Sequence, residues 1–498
     1  MNRNTLTTAV IAGLAGVAGI ANMASAVNLN PDGLGQVLLY PYYTVNSGQQ
    51  TLLSVVNTTS IGKAVKVRFL EGYNSREVLD FNLFLSKFDV WTAAVFSLSD
   101  AGVAGAGAGI FTADNSCTAP AFTQGPLSNG FGYQQFLPFA YTGSNSDSGP
   151  IGDDRTREGH FELIQMSDIV PGTVLDGLIT HVNGVPPDFG SSGTFCQASE
   201  TEFISVAGDT TIPTGGLFGA ASVVNVAQGT FYAYNADALD GFTATVLNSA
   251  TGLTSPTLQQ VNDAGGLTAT AFVFNKGALV TATYPTADID AVSAVLDASN
   301  VYNEYEHTAS GSIGTDWVVN FPTKRFYVDP QITLTTAAIP PFEQGFGAVL
   351  AGLSCDVVGL GIYDREERTT SVPTCGFSPC PPGQPNSSLC HETNVLTFGG
   401  PSILGSTLTS NISSPYESGW LQLSFTDPTH FGTAVAPHAH AMRPSNEGTI
   451  FFGLPVNGFE ATDFINNNVG GVLANYSGVY RHRISRCADT TQNAAACS

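Results

Sequence analysis

Charged side chains are scarce in this chain. Asp, Glu, Lys and Arg make up 11% of the 498 residues, against about 25% in a typical soluble protein. Lysine is the rarest of the four types, and its positions are Lys63, Lys66, Lys87, Lys276 and Lys324. Because helices usually carry Glu and Lys on their solvated faces, this composition favours β-sheets and long turns.

The few charges are also strongly unbalanced. The net charge is −23, and so acidic a surface repels the phosphates of nucleic acids and anionic membranes. Nucleic acid is therefore not an expected partner. The same carboxylates are suitable ligands for a hard cation such as Ca²⁺.

Beyond residue 26, no apolar run is long enough to cross a membrane as a helix. At the N-terminus, an apolar run over residues 9–21 follows the single basic residue Arg3 and leads to Ala24-Ser25-Ala26. This order of regions is typical of a secretory signal peptide. We therefore expect residues 1–26 to be removed, and the mature chain to be secreted, to the cell surface or the periplasm. An uncleaved anchor is the alternative interpretation.

All eight cysteines follow the predicted leader. An even number of cysteines in an exported chain predicts disulfides, here four of them. Proximity in the sequence favours two pairs, Cys117–Cys196 and Cys487–Cys497. The other four form a predicted cluster that comprises Cys355, Cys375, Cys380 and Cys390. Zinc is the alternative, but the spacing lacks the paired two-residue knuckles typical of zinc sites.

Short β-branched and aromatic stretches recur along the chain, separated by turn residues about every ten positions. In the clearest stretch, Val65, Val67 and Phe69 alternate with Lys66 and Arg68. This period of two predicts a half-buried strand. Short strands at this spacing are typical of a β-sandwich.

One segment follows a different period. Ile289, Val292 and Leu296 recur at three- and four-residue steps, which predicts one short helix between residues 286 and 305. We therefore expect a mainly β chain of antiparallel β-sandwich domains, with long loops pinned by disulfides and one short helix. The predicted segments are a signal peptide at 1–26, an N-terminal β-sandwich segment at 27–110, an irregular loop-rich region at 111–215, a second β-rich domain at 216–486 with a Cys/Pro loop at 373–390, and a disulfide-pinned tail at 487–498.

The best local candidate for a metal site is His438-Ala439-His440-Ala441-Met442. On a strand, His438, His440 and Met442 would share one face, and two imidazoles with a thioether suit copper or, less well, zinc. The alternative is a surface strand with incidental histidines.

Two acidic groups are candidates for calcium. One comprises Asp147, Asp153 and Asp154 in a Gly/Ser loop, and the other comprises Asp288 and Asp290 at the start of the predicted helix. Solvated carboxylates explain the first group equally well. Favourable charge at a helix N-terminus explains the second.

No pattern in the chain identifies a reaction. The Gly-x-Ser-x-Gly motif of serine hydrolases, the His-Glu-x-x-His motif of zinc proteases and the EF-hand loop are all absent. Glycoside hydrolysis needs two carboxylates about 5–10 Å apart, which a sequence alone does not locate. Exposed aromatic residues would stack on sugars, and the candidates are Tyr40, Tyr42, Tyr43 and Trp91; filling a sandwich core is the alternative role.

Several passages resemble a loose set of uncharacterised proteobacterial exported proteins, often described only as cell-surface proteins. The passages are LSVVNTT at 53–59, VKVRF at 65–69, DFNL at 80–83, DVWTA at 89–93, GTDWVVNFPTK at 314–324, GLPVNGF at 453–459 and YSGVYRH at 476–482. The resemblance covers well under half of the chain. It implies a cell-surface or periplasmic location, and it implies no activity, cofactor or catalytic residue.

Together, these features favour a non-enzymatic exported protein with a structural, adhesive or assembly role. Its expected partners are other cell-surface components or further copies of itself, joined by sheet edges. One alternative is a secreted protein that binds or degrades a polymer such as a polysaccharide. Another is a metal-binding surface protein that uses the histidine segment.

Overall fold

A computed structural model describes residues 26–189, 196–261, 268–286, 288–347, 351–369, 388–426 and 440–490. The chain is mostly β, with 45% strand and 11% helix, and its sheets are mainly antiparallel, as predicted. Within these ranges, no helix combines the length and apolar character needed to cross a membrane.

The first sheet has ten strands. In spatial order they are β16 (Ala278–Tyr284), β15 (Ala269–Asn275), β1 (Ala26–Leu29), β14 (Asp237–Asp240), β2 (Val37–Thr44), β10 (Glu158–Ile169), β4 (Gly62–Glu71), β5 (Glu77–Leu85) and β8 (Cys117–Ala119), with β11 (Thr210–Thr211) beside β10. β1 pairs in parallel with β15, and the other pairs of this sheet are antiparallel. The sheet draws strands from three of the predicted segments, so its hydrogen bonds cross the predicted boundaries at 110 and 215.

The second sheet has six strands and packs against one face of the first. Its order is β13 (Thr230–Asn235), β12 (Leu217–Asn225), β3 (Gln50–Asn57), β6 (Val90–Ser97), β7 (Ala108–Phe111) and β9 (Tyr133–Gln135). The core between the two sheets is aromatic: Tyr40 stacks on Phe161 at 4.1 Å, and Phe81 meets the buried Trp91 at 5.7 Å. The two sheets therefore form the first sandwich.

Two further sheets form a second sandwich. The four-stranded sheet runs β21 (Gly359–Asp364), β25 (Ser418–Ser424), β18 (Asn300–Glu306) and β30 (Arg483–Ser485). The five-stranded sheet runs β24 (Thr409–Ile412), β23 (Thr393–Phe398), β19 (Ile313–Asn320), β28 (Asn457–Val469) and β29 (Val472–Arg481). Tyr305 and Phe398 stack between these sheets with ring centres 4.8 Å apart.

Shorter elements complete the chain. The two-stranded pairs are β17 (Asp297–Ala298) with β27 (Leu454–Pro455), β20 (Asp356–Val357) with β22 (Ser388–Leu389), and β26 (Ile450–Phe451) with β31 (Ala488–Asp489). The α-helices are α1 (Val174–Ile179), α2 (Gln197–Ser205), α3 (Ile289–Leu296), α4 (Arg325–Val328) and α5 (Pro330–Thr333). Single 3₁₀ turns occupy Asn46–Gly48, Phe139–Tyr141, Gly143–Asn145, Asp153–Arg157 and Leu258–Gln260.

The predicted helix is α3, and it lies at the junction of the two sandwiches. Every residue of α3 is buried, because its apolar side chains join the core that β1, β14 and β15 share with the second sandwich. Val318 and Phe459 of the five-stranded sheet pack in turn into the core of the first sandwich. The two sandwiches are therefore interlocked through both cores, and a cleft opens beside their junction.

Candidate ligand-binding cleft

The structure joins Cys117 to Cys196, the pair favoured by proximity, and closes a loop with a sequence separation of 79. Within the predicted cluster of four, it joins Cys355 to Cys390. Cys375, Cys380 and Cys497 lie outside the described residues. Cys487 is buried and is also oxidised to a disulfide.

The histidine segment is only partly described, since His438 lies outside the described residues. His440 is buried, and its two ring nitrogens face backbone carbonyls, with Nδ1 3.0 Å from the oxygen of Pro341 and Nε2 2.8 Å from that of Val357. In this arrangement neither nitrogen is directed at a shared metal position. Met442 is buried in the core that α3 shares with the second sandwich. A copper site here would require His440 to give up one carbonyl contact, and it stays a prediction.

Elsewhere in the described ranges, one group of three ligand-type residues lies close together, namely Cys117, Asp188 and Cys196. Its two sulfur atoms form the disulfide described above. Because a disulfide sulfur is not a thiolate, this group lacks the donors that a zinc or copper ion requires.

The acidic groups proposed for calcium are engaged in other contacts. Asp147 accepts hydrogen bonds from Arg155 at 2.5 and 3.1 Å and one from Asn74 at 2.6 Å. Asp290 accepts from Arg443 at 2.8 and 2.9 Å and from the Tyr327 hydroxyl at 2.7 Å. Ion pairs with arginine thus occupy the best-buried carboxylate of each group. Calcium binding stays a prediction.

The four aromatic residues proposed for sugar stacking fill the first sandwich instead. Tyr40, Tyr42, Tyr43 and Trp91 are each at most 1% exposed. The hydroxyls of Tyr40 and Tyr43 donate to the backbone oxygens of Ser54 and Thr156. These rings are core residues, so a polymer would have to contact other side chains.

The site with the richest chemistry is a cleft of about 800 Å³ at the junction of the sandwiches. Its floor is the polar face of β4, β5 and β10. One side is formed by residues 251–259 and the other by residues 322–332, which include α4 and α5. This volume lies within the range of about 300–1,000 Å³ that is typical of small-ligand sites.

The floor is organised around Arg68 of β4. Its Nε donates to Glu77 at 2.7 Å, and its Nη1 forms an ion pair with Glu162. Asp80, the cross-strand neighbour of Arg68, forms an ion pair with Lys66, whose Nζ also donates to the Leu253 carbonyl at 2.7 Å. The second contact fixes residues 251–259 over the sheet.

The second side is attached to the floor by two more arginines. Arg76 contacts Asp329 at 3.2 Å through Nη2 and donates to Gln331 at 2.8 Å through Nη1. Arg325 donates to Asp329 at 3.0 Å and to the Ser75 carbonyl at 3.0 Å. The buried Nε of Arg76 has no hydrogen-bond partner among the described residues, and Arg76 lines the cleft. This nitrogen is enclosed 3.8 Å from an oxygen of Asp147, so Arg76 serves to hold this side of the cleft in place.

Apolar groups line the remaining surface. Phe81 and Phe122 meet edge to face at 5.1 Å on the inner wall. At the mouth, Phe139 is 74% exposed and Leu137 is 49% exposed. Two exposed apolar side chains at the entrance of a polar cleft are suited to contact the flat face of a ligand.

Burial and ion pairing have opposite effects on the charges of the floor. Burial raises the pKa of Glu162, against the attraction of Arg68. Burial disfavours the charged form of Arg68, but Glu77 and Glu162 outweigh it and hold the pKa of the guanidinium above its usual value. Three arginines (Arg68, Arg76 and Arg325) and three acids (Glu77, Asp80 and Glu162) line the cleft. The cleft is therefore close to electrically neutral in a chain of net charge −23.

Sequence reasoning missed this site. It identified Lys66 and Arg68 only as the solvated face of a half-buried strand, whereas every residue of β4 is buried. The usable signal was the grouping of Lys66, Arg68 and Arg76 within eleven residues of a chain with 17 basic residues in total. Their acidic partner Glu162 is about ninety positions away along the chain, which no local pattern reveals.

No family model matches the chain, and no curated protein and no solved structure matches it either.

Proposed function

We propose that this chain is an exported cell-surface or periplasmic protein with an adhesive role, and that it acts by binding a neutral polysaccharide in the cleft. The observation that carries the proposal is the composition of the cleft. It combines paired charges of both signs with exposed apolar side chains at the mouth.

The pairing of the charges argues for a ligand that carries hydroxyl groups and no net charge. An anionic ligand would find each cleft arginine already in an ion pair with a carboxylate, and a cationic ligand would find each carboxylate paired with a base. Paired groups still offer free lone pairs and N–H donors to hydroxyls. Thr254, Thr257 and Gln259 add neutral donors and acceptors along one side.

The apolar groups at the mouth argue for a sugar ring rather than a small solvated molecule. Phe139 and Leu137 expose their side chains beside the polar groups. A pyranose has hydroxyls at its edge and C–H groups on its faces, so it satisfies both kinds of surface. The cleft volume of about 800 Å³ is large enough for a few sugar units of a polymer.

Export is supported by three features. The described residues contain two disulfides, and disulfides persist mainly in oxidising compartments. The predicted leader and the resemblance to exported surface proteins favour the same location. Secretion of the chain and detection of the mature N-terminus near residue 27 by mass spectrometry would test this part.

The ligand is tested by a glycan array, followed by calorimetry with the best neutral oligosaccharide. Phe139→Ala should weaken binding about fivefold, because an exposed aromatic contact contributes about 1 kcal/mol. The matched control is Phe218→Ala, which removes an exposed phenylalanine from the outer face of the second sheet and should leave the affinity unchanged.

Salt separates a neutral ligand from an anionic one. Binding of a neutral sugar should change little between low and high NaCl, whereas a charged ligand is screened. Equal loss of affinity in both phenylalanine variants, or binding restricted to acidic glycans with strong salt dependence, would contradict the proposal. Release of reducing ends from the bound glycan would instead favour the polymer-degrading alternative.

A further inference from the structure

The first sheet ends in an edge strand that lacks the usual protection. Among the described residues, β16 pairs only with β15, through a hairpin that turns at Lys276 and Gly277, both with positive φ. No charged residue and no proline occurs from Ala278 to Tyr284. Natural proteins normally protect such edges with lysine, proline or a bulge. By contrast, the edge strand β13 of the second sheet is covered by β29, where Ser477 bonds both backbone groups of Phe231.

The outward-facing backbone groups of β16 can be assigned from its far end. The Thr283 nitrogen donates to Glu447 at 2.9 Å, and the Thr283 carbonyl accepts from the Asn446 nitrogen at 2.9 Å. Because alternate residues of an antiparallel strand direct both backbone groups to the same side, Leu279 and Thr281 also direct theirs outward. No hydrogen bond to these groups comes from the described part of the chain.

The side chains along this edge are apolar and exposed. Leu279 is 57% exposed, and Phe274, its cross-strand partner on the same face, is 66% exposed. The opposite face carries Ala282 and Val280, which belong to or pack against the buried core. A strand added at this edge would therefore extend both an apolar surface and a backbone ladder.

We propose that β16 pairs antiparallel with β16 of a second copy of this chain, with Leu279 opposite Thr281 of the second copy. The proposal is independent of polysaccharide binding. A two-fold axis then generates two identical residue pairs and four backbone hydrogen bonds.

The neighbouring registers are disfavoured. Setting Thr281 opposite its own copy would place Leu279 opposite Thr283, whose backbone groups are already bonded. Setting Leu279 opposite its own copy would require Gly277 to pair with Thr281, but Gly277 lies in the hairpin turn with φ of 84°. The register with Leu279 opposite Thr281 avoids both conflicts.

Charge complementarity favours a second copy as the occupant. In the proposed register, the hairpin turn of one copy, which carries Lys276, lies near the end of the other copy's β16, where Glu447 caps Thr283. Lys276 and Glu447 are both exposed. The two-fold axis places one such lysine–glutamate pair at each end of the ladder, with no like charges facing each other.

The interface would be small. One edge of about five residues and its two apolar side chains fall well short of the roughly 1,200 Å² that stable interfaces bury. We therefore expect reversible association that depends on protein concentration.

Sedimentation equilibrium of the mature chain tests the association. Leu279→Lys should raise the dimer dissociation constant at least about tenfold. The substitution places a lysine of each copy beside the two-fold axis, where pairing of the strands would bring the two positive charges together and partly remove them from water. Val472→Lys is the matched control, since Val472 is 65% exposed on β29, away from this edge. Wild type that stays monomeric at millimolar concentration, or equal weakening by both lysine variants, would overturn the proposal.

Cysteine cross-linking tests the register without relying on affinity. A mixture of Leu279→Cys and Thr281→Cys chains should form a disulfide-linked dimer under mild oxidation, because paired residues bring their Cα atoms within disulfide range. Each variant oxidised alone should remain monomeric. Cross-linking of Leu279→Cys alone, or no product in the mixture, would overturn the proposed pairing.

Discussion

Glu392 is a buried carboxyl that forms no ion pair within the described residues, and it should make the stability of the protein depend on pH. Its side chain is fully buried, and neither oxygen has a hydrogen-bond partner among the described residues. Lys324, whose charge attracts Glu392, is engaged with Asp356 at 2.8 Å and with the Ser354 carbonyl at 2.6 Å. Burial accordingly raises the pKa of Glu392 to about 8, despite the attraction of Lys324.

The sign and size of the effect follow from proton linkage. In the unfolded chain, Glu392 has its ordinary pKa of about 4.3 and ionises freely. A carboxyl whose pKa is raised on folding favours the folded state at low pH, and that contribution is lost as the pH rises towards about 8. Relative to a non-ionising side chain, ionisation of Glu392 should lower the free energy of unfolding by about 1 kcal/mol at pH 5 and by about 5 kcal/mol at pH 9.

Glu392→Gln tests this reasoning, because the substitution keeps the shape and removes the charge. In urea unfolding, the free energy of unfolding of the variant should exceed that of wild type by about 1 kcal/mol at pH 5 and by about 5 kcal/mol at pH 9. Glu366→Gln is the matched control, since the Glu366 side chain is 68% exposed and should give parallel pH profiles. A Glu392→Gln profile that runs parallel to wild type from pH 5 to pH 9 would refute the argument.

Two further experiments test the disulfide and the floor of the cleft. Replacing Cys117 and Cys196 together by serine should lower the free energy of unfolding by about 4 kcal/mol, measured in urea, because the bridge closes a long loop in the unfolded chain. Arg68→Ala should lower the free energy of unfolding by about 3–5 kcal/mol, because it leaves the buried Glu162 without its ion-pair partner. Adding Glu162→Gln should recover part of that loss in thermal melts.

The fold class was predictable because it depends on local periodicity. The period of two in residues 65–69 correctly identified a strand and the face that contacts the first core. The three- and four-residue steps identified α3 because that helix presents apolar residues to a core on several sides. Both signals arise from neighbours within a few positions, which a single sequence contains.

The cleft was not predictable because it depends on contacts between distant segments. β10 was assigned to an irregular region, although all twelve of its residues are buried at the centre of the first sheet. Its polar residues His160 and Glu162 mimic a solvated surface, and only the packing of a second layer over β4 and β10 buries them. A period of two indicates which face meets one core; it does not indicate whether the other face is covered.

The proposed sugar site in the cleft and the proposed pairing of β16 strands would together strengthen attachment to a polymer. If the cleft binds a neutral sugar, as proposed, binding is weak because no ionic contact adds to the affinity. An edge of a few residues also associates weakly. A polymer repeats its binding unit, so one chain of it can occupy the clefts of both copies in a strand-paired dimer. Such a two-site attachment strengthens overall binding by up to about 10²–10⁴-fold when the geometry permits it. Two weak interactions are therefore sufficient for firm attachment to a polymer, while short oligosaccharides would still exchange rapidly.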